Sequence, residues 1–104
     1  MPKSILITGS SSGIGKATAK LFHEKGWNVI ATMRMPGKER ELTALENVLV
    51  ARLDVQDRKS IHDAVQLGIE RFGKIDVLLN NAGHGAYGPL EAIGGMKAKF
   101  GLQY

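Results

Sequence analysis

The chain has 104 residues, of which 43% are hydrophobic and 23% charged, values that fit a single soluble globular domain. Its net charge of +4 at pH 7 comes from basic residues scattered among acidic ones, so nucleic acid is only a minor alternative as a partner. Cysteine is absent, which excludes disulfides and cysteine-ligated zinc, and no apolar run has the length of a signal peptide or a membrane span, so we expect a cytoplasmic protein without a membrane partner.

The beginning of the sequence predicts two strands separated by a helix. A β-rich run from Ser4 to Thr8 predicts the first strand, and Gly13 to Lys25 predicts a helix that ends at Gly26. One side of that helix is expected to carry residues at helical spacing: Ile14, Thr18, Leu21 and Phe22. The second strand is predicted from Trp27 to Met33.

The same alternation continues in the second half. After a Pro-Gly pair, a short helix is predicted around Glu39 to Leu45, followed by a third strand from Val48 to Leu53. Asp57 is placed to cap the next helix, Gly73 to end it, and Ile75 to Leu79 predicts a fourth strand. The apolar residues of that helix are expected to face inward: Ile61, Val65, Ile69 and Phe72.

The order of these elements predicts the fold class. Strands that alternate with helices indicate a parallel α/β sheet with right-handed crossovers. The almost wholly apolar fourth strand fits a three-layer αβα arrangement with helices on both faces. We expect residues 1–104 to form one domain, incomplete at its carboxyl end, because the pattern weakens after Gly83 and Glu91 to Tyr104 gives only the start of a helix.

The stretch ITGSSSGIGKAT, from Ile7 to Thr18, predicts a phosphate site. It follows a strand and opens a helix, whose unpaired N–H groups and dipole favour an anion. Its glycines allow a tight turn and close approach of phosphate, and its serines add hydroxyl donors. A P-loop fits poorly, because Ser10 stands where that motif needs glycine and Ala17 where it needs serine or threonine. The remaining alternative is a tight turn with no ligand.

Three short motifs point to one family. Thr8 to Gly15 has the pattern T-G-x-x-x-G-x-G, Leu53 to Val55 is LDV, and Asn80 to Gly83 is NNAG. With these motifs in this order on these elements, the sequence resembles the short-chain dehydrogenase/reductase family. The resemblance covers nearly the whole chain and fades after about Leu90.

This resemblance implies a Rossmann-type sheet with strand order 3-2-1-4 and, in the family, hydride transfer between nicotinamide and a carbonyl or alcohol carbon. It implies that Asp54 and Val55 contact adenine and that Asn81 to Gly83 line the ribose side. Asp54 has the alternative of capping a turn, and the two asparagines that of tying strand ends together, which we favour for Asn80. The expected cofactor-binding residues are Gly9, Ser11, Ser12, Gly13, Ile14, Gly15, Arg34, Asp54, Val55, Asn81, Ala82 and Gly83.

The end of the second strand predicts the cofactor. A carboxylate there would hold a ribose 2′-hydroxyl and favour NAD, but the sequence has no acid until Glu39 and has Arg34 in that place. A guanidinium can bind a 2′-phosphate through two parallel hydrogen bonds. We therefore expect NADP(H), with NAD(H) possible; the alternative is that Arg34 is a solvated loop residue.

The catalytic pattern implied by the resemblance, a serine followed by Tyr-x-x-x-Lys, is not found in these 104 residues. Tyr87 is followed four positions later by Glu91, and Tyr104 is the last residue, so we predict no catalytic residue and no metal site. We expect this chain alone to bind a dinucleotide weakly and to be inactive. An open edge at the fourth strand, or exposed helix faces, predicts a homo-oligomer. The alternative function is a non-enzymatic Rossmann fragment that self-associates or regulates.

Overall fold

The computed structural model describes residues 2–81. Its elements, in chain order, are β1 (Ser4–Ile7), α1 (Gly13–Glu24), β2 (Asn28–Met33), a 3-10 helix (Pro36–Lys38), β3 (Val48–Arg52), α2 (Arg58–Phe72) and β4 (Val77–Leu79). The helix start expected between Glu91 and Tyr104 lies outside the described residues. Within residues 2–81, no helix is both long and apolar enough to cross a bilayer.

The four strands form one parallel sheet in the order β3-β2-β1-β4, as predicted. Leu6 at its centre pairs with Ile30 on one side and Leu78 on the other, and all three are fully buried. Because side chains alternate between the two faces of a strand, this row packs with α2, while the neighbouring residues of β1 and β2 pack with α1. One helix on each face gives the expected three-layer α/β architecture.

The residues expected on one side of α1 are not the ones that form its buried face. Ile14 is 77% exposed and Leu21 is 48% exposed, whereas Ala19 is buried in the core, Gly15 is buried against Gly9 in the loop after β1, and Phe22 is partly buried. Gly15 and Ala19 are four residues apart and therefore lie on one face of the helix. Their small size lets the helix pack closely on the loop at Gly15 and on the core at Ala19.

The connection between β2 and β3 also differs from the prediction. Instead of a helix around residues 39–45, the 3-10 helix at Pro36–Lys38 is followed by turns. Leu42 is fully buried in the core on the α1 side, and its N–H donates to Glu39 Oε2 at 2.9 Å. Side-chain hydrogen bonds of this kind satisfy the backbone without a helix. The segment is thus anchored by one leucine instead of by a helical apolar face.

The ends of α2 are where the sequence predicts them. Asp57 caps the helix through hydrogen bonds to two backbone N–H groups, and Gly73, with φ of 86°, ends it. The expected burial of Ile69 is wrong, because this residue is 40% exposed. Gly68 faces the sheet instead, and a Cβ on it would lie 3.0 Å from Ile30 Cγ1. As in α1, a small residue allows close packing where the sequence pattern favoured a large one.

Candidate functional site

A cleft of about 470 Å³ lies where the carboxyl ends of the parallel strands meet. It is lined by residues at or just after the carboxyl ends of all four strands: Gly9, Ser11, Ser12, Met33, Arg34, Leu53, Asp54, Val55, Gln56 and Asn81. The structure thus brings seven of the predicted binding residues together: Gly9, Ser11, Ser12, Arg34, Asp54, Val55 and Asn81. Gly13, Ile14 and Gly15 form the adjoining first turn of α1. Ala82 and Gly83 lie outside the described residues.

Three lining residues were not predicted: Met33, Leu53 and Gln56. Each is a direct chain neighbour of a predicted residue, Met33 next to Arg34 and the other two on either side of Asp54 and Val55. These residues could have been predicted from their position at strand ends. In an open parallel sheet, every residue of the turn that follows a strand can border the ligand crevice. Chemistry alone did not single them out, because two of them are apolar.

The first turn of α1 has no side-chain cap. Ser12 occupies the N-cap position with an extended backbone, φ −160° and ψ 172°, and its side chain makes no capping hydrogen bond. The first turn holds no acidic residue, and the bond from Lys16 N to Ser12 O is long, at 3.4 Å. The N–H groups at a helix start have no acceptor within the helix. Here they remain available to an anion beside the cleft.

Hydrogen bonds of the buried Ser10 hold the loop before α1 in place. Its hydroxyl donates to Ile7 O at 2.9 Å, its N–H donates to Thr32 O at 3.0 Å, and the residue is fully buried. The expected use of this hydroxyl as a donor to phosphate is therefore wrong, because it is already bonded inside the loop. Ser11 and Ser12 are exposed and line the cleft.

Gly15 is required by close packing between α1 and the loop. A Cβ on Gly15 would lie 2.0 Å from Gly9 O and 2.6 Å from Asn81 Nδ2. Asn81 Nδ2 itself donates to Gly9 O at 3.1 Å, so the end of β4 holds the loop in place. Beside it, Thr8 Oγ1 lies 2.8 Å from Asn80 Oδ1 and donates to it, which confirms the structural role expected for Asn80.

Arg34 is exposed at the cleft immediately after β2. None of the ion pairs formed within residues 2–81 involves it. Glu39, the next acid along the chain, is turned away: its carboxylate accepts from Leu42 N and lies 3.4 Å from Lys16 Nζ. The end of β2 therefore offers the cleft a guanidinium and no carboxylate.

Asp54 caps a turn, which was one of the two roles that the sequence left open, and it also lines the cleft. Its Oδ1 accepts from Gln56 N at 2.9 Å, so it does cap the turn that leads into α2. Its N–H donates to Ser60 Oγ at 2.9 Å, which fixes this turn to the first part of the helix. Asp54 is also the one acidic residue among the residues that line the cleft in the described part of the chain.

The fold is similar to that of solved structures, two of which illustrate the comparison. A 3-ketoacyl-(acyl-carrier-protein) reductase from Brucella melitensis, complexed with NADH, aligns with a TM-score of 0.68 and 33% identity over 73% of this chain and 32% of that one. ElxO with NADP bound aligns with a TM-score of 0.69 and 35% identity over 78% of this chain and 35% of that one.

Sequence relatives agree with this comparison. An uncharacterised oxidoreductase of Schizosaccharomyces pombe is 41% identical over 91 residues, which are 86% of this chain and 30% of that protein. In relatives of this kind the chain spans 25% to 39% of the full length. A family model described as short chain dehydrogenase matches residues 3–98. By this match, which covers most of its length, the chain belongs to the short-chain dehydrogenase family.

Proposed function

We propose that this chain is the NADP(H)-binding part of a short-chain oxidoreductase, with NADPH preferred to NADH. The observation that carries the proposal is one cleft in which the uncapped start of α1 lies beside Arg34 and no carboxylate follows β2 directly. An uncapped helix start favours a pyrophosphate. An arginine without an acidic partner favours a further phosphate on the ribose.

Each part of the dinucleotide has residues that suit it. The backbone and hydroxyl donors of the segment from Gly9 to Ile14 would hold the pyrophosphate, and Arg34 the 2′-phosphate. Asp54 and Val55 would contact the adenine and Asn81 the ribose side, a role that we also propose for Ala82 and Gly83 from the family resemblance. The neighbouring structures with NADH or NADP bound support a nicotinamide dinucleotide as the cofactor class.

The proposal gives these residues a binding role. A bound nicotinamide would supply hydride transfer to a carbonyl carbon or from an alcohol carbon. The chain's own contribution is to place the dinucleotide against the strand ends. Because the 104 residues contain no Tyr-x-x-x-Lys, we expect them alone to bind the cofactor and not to turn over a substrate. The cytoplasmic location predicted from the sequence is part of the same proposal.

Titration with NADPH and NADH tests this function. We expect saturable binding that is tighter for NADPH, and no binding by Gly13→Val, because valine cannot take the φ of 58° at that position without strain. Arg34→Asp should lower the preference for NADPH on the order of tenfold. Arg58→Asp is the matched control, since it makes the same charge change on an exposed residue outside the cleft lining.

A folded protein that binds neither dinucleotide contradicts the proposal and favours the non-enzymatic alternative. An Arg34→Asp variant with an unchanged preference contradicts the assignment of the 2′-phosphate.

Self-association is a further part of the proposal. Within residues 2–81, β4 pairs with β1 alone, and α1 exposes Ile14 and Leu21. An unpaired strand edge or an apolar helix face favours contact with a second chain. Sedimentation at micromolar concentration should therefore show a species larger than the monomer, and a clean monomer would remove this part.

A further inference from the structure

The connection between β2 and β3 contains a buried carboxylate that faces α1. Glu39 follows the 3-10 helix and is only 6% exposed. Its Oε2 accepts from Leu42 N at 2.9 Å and lies 3.4 Å from Nζ of Lys16, in the first turns of α1. A buried carboxylate needs such partners, because its loss of hydration is costly. Lys16 therefore ties this connection to the helix that opens beside the cleft.

The pairing of Glu39 with Lys16 is ionic. Burial acts to raise the pKa of Glu39, but hydrogen bonds from the Leu42 N–H and from Lys16 outweigh it and leave that pKa below its ordinary value. Glu41 adds an outer layer, since its carboxylate lies 3.2 Å from Lys16 Nζ and also contacts Lys20. Glu41 and Lys20 are more exposed, so their pair contributes less than the buried one.

Arg34 lies in a short span between two fixed points. On one side, Met33 is buried and its carbonyl accepts from Leu53 N at 2.9 Å. On the other side, four residues separate Arg34 from Glu39, and three of them form the 3-10 helix at Pro36–Lys38. A proline and a hydrogen-bonded turn leave so short a span few conformations. The position of Arg34 at the cleft thus depends on where Glu39 is held.

We propose that Lys16 is a positioning residue for recognition of a 2′-phosphate: by pairing with Glu39, it keeps Arg34 at the cleft. This inference rests on the proposed function, because it assumes that Arg34 contacts that phosphate. Lys16 itself is not among the residues that line the cleft. A group already held in its bound position loses less conformational freedom on binding. Lys16 therefore raises affinity for a dinucleotide with the 2′-phosphate and leaves affinity for one without it unchanged.

The ratio of the dissociation constants for NADH and NADPH tests this role, measured by titration of the intact protein. Lys16→Met keeps most of the aliphatic stem and removes the charge. We expect it to lower the preference for NADPH about fivefold, with NADH affinity within about twofold of wild type. Lys16→Arg should restore most of the preference, because a guanidinium can also pair with Glu39. Lys20→Met, which loses only the pair with Glu41, is the matched control and should keep the wild-type ratio.

The outcomes separate this inference from the proposed function. An unchanged ratio in Lys16→Met, together with a lost preference in Arg34→Asp, overturns the inference alone. An unchanged ratio in Arg34→Asp as well overturns both. If Lys16→Met loses affinity for NADH and NADPH equally, the inference is also overturned. A loosened fold weakens binding of both dinucleotides, whereas a displaced Arg34 weakens binding of NADPH alone. If Lys16→Met does not fold, Lys16→Gln gives the same comparison, since it also removes the ammonium that pairs with Glu39 and keeps a polar side chain at this position.

Discussion

The two helices of this molecule begin in different ways. At the start of α2, Asp57 Oδ1 accepts from the backbone N–H groups of Lys59, at 3.1 Å, and Ser60, at 3.3 Å. At the start of α1, Ser12 occupies the equivalent position, but its side chain makes no capping bond. Both starts follow strands of the same sheet. The same backbone donors are therefore satisfied within the chain in one helix and left open in the other.

The difference shows how an open helix start remains stable. Instead of a cap, the start of α1 is supported by packing: Gly15 lies directly on Gly9 O, which also accepts from Asn81 Nδ2. A side-chain cap would satisfy the N–H groups and block them at once. Packing of Gly15 on Gly9 supports the helix start without bonding to its N–H groups, which stay free. This is the pattern expected where a ligand supplies the acceptors.

The largest effect is expected from breaking the packing that supports α1. Gly15→Ala places a Cβ 2.0 Å from Gly9 O, so the helix or the loop must shift, and we expect the free energy of unfolding to fall by about 3 kcal/mol. Urea denaturation measures this change. Gly37→Ala is the control, because its Cβ would meet no atom within 4 Å. Similar stabilities for the two variants would contradict the packing role of Gly15.

Giving α1 the kind of cap that α2 has sharpens the comparison further. In Ser12→Asp, a carboxylate at the N-cap can accept from the first N–H groups and interact favourably with the helix dipole, which raises the free energy of unfolding by about 0.5 kcal/mol. The same carboxylate repels a pyrophosphate, so NADPH affinity should fall on the order of tenfold. Stability by denaturation and affinity by titration should thus change in opposite directions.

Ala17→Asp is the control for that exchange. Ala17 is exposed on the same helix and does not line the cleft, so the new charge is similar but the cap is not formed. If Ala17→Asp weakens NADPH binding as much as Ser12→Asp does, the effect is one of net charge, and the open start of α1 is not the anion site.

The contrast between the helices also shows what the sequence can predict. The alternation of elements and the capping residues Asp57 and Gly73 are local signals, and they place α1, α2 and the four strands correctly, although not the helix expected around Glu39 to Leu45. The buried faces were predicted only in part: Ile61 and Val65 are buried as expected, but Ile69 is exposed. Counting large apolar residues overlooks small ones, such as Gly15 in α1 and Gly68 in α2, at which the helices pack closely on their neighbours. Whether a helix can approach closely depends on the segment against which it packs, and the local sequence pattern of the helix does not contain that information.

The site divides in the same way. Residues whose backbone follows a strand end, such as Gly9 and Asp54, were predicted because topology places them in the cleft. The use of the Ser10 hydroxyl by Ile7 O was missed, since serine has the same chemistry whether it is turned inward or outward. The contact between Lys16 and Glu39 joins positions far apart in sequence across a connection that was predicted as a helix. Such a pair becomes visible only once the turn around Leu42 is known.

A smaller effect is expected from removing the N-terminal cap of α2, so that its start lacks a side-chain cap as the start of α1 does. Asp57→Ala removes both capping bonds, and we expect the Tm to fall by about 4 °C. NADPH affinity should stay at the wild-type value, because Asp57 does not line the cleft. Asp63→Ala is the control, since it removes an exposed carboxylate of the same helix that pairs only with Lys59 on the surface. A loss of NADPH affinity in Asp57→Ala would show that the two helix starts are coupled.

The smallest effect is a pH dependence confined to the start of α2. The hydrogen bond from Arg52, followed by those from the backbone, lowers the pKa of Asp57 from its ordinary value of 3.8. A carboxyl whose pKa is lower in the folded state contributes stability that is fully present above its unfolded pKa and is lost as the pH falls through the folded one. The Tm advantage of wild type over Asp57→Asn should thus stay constant from pH 7 to about pH 4 and shrink as the pH falls below the unfolded value of 3.8, since asparagine also caps a helix but carries no charge. A Tm advantage that does not shrink below about pH 4 would mean that the ionised form of Asp57 adds nothing to the cap. The start of α1 has no acid in its first turn, so Asp57→Asn and wild type should lose NADPH affinity in parallel over the same pH range.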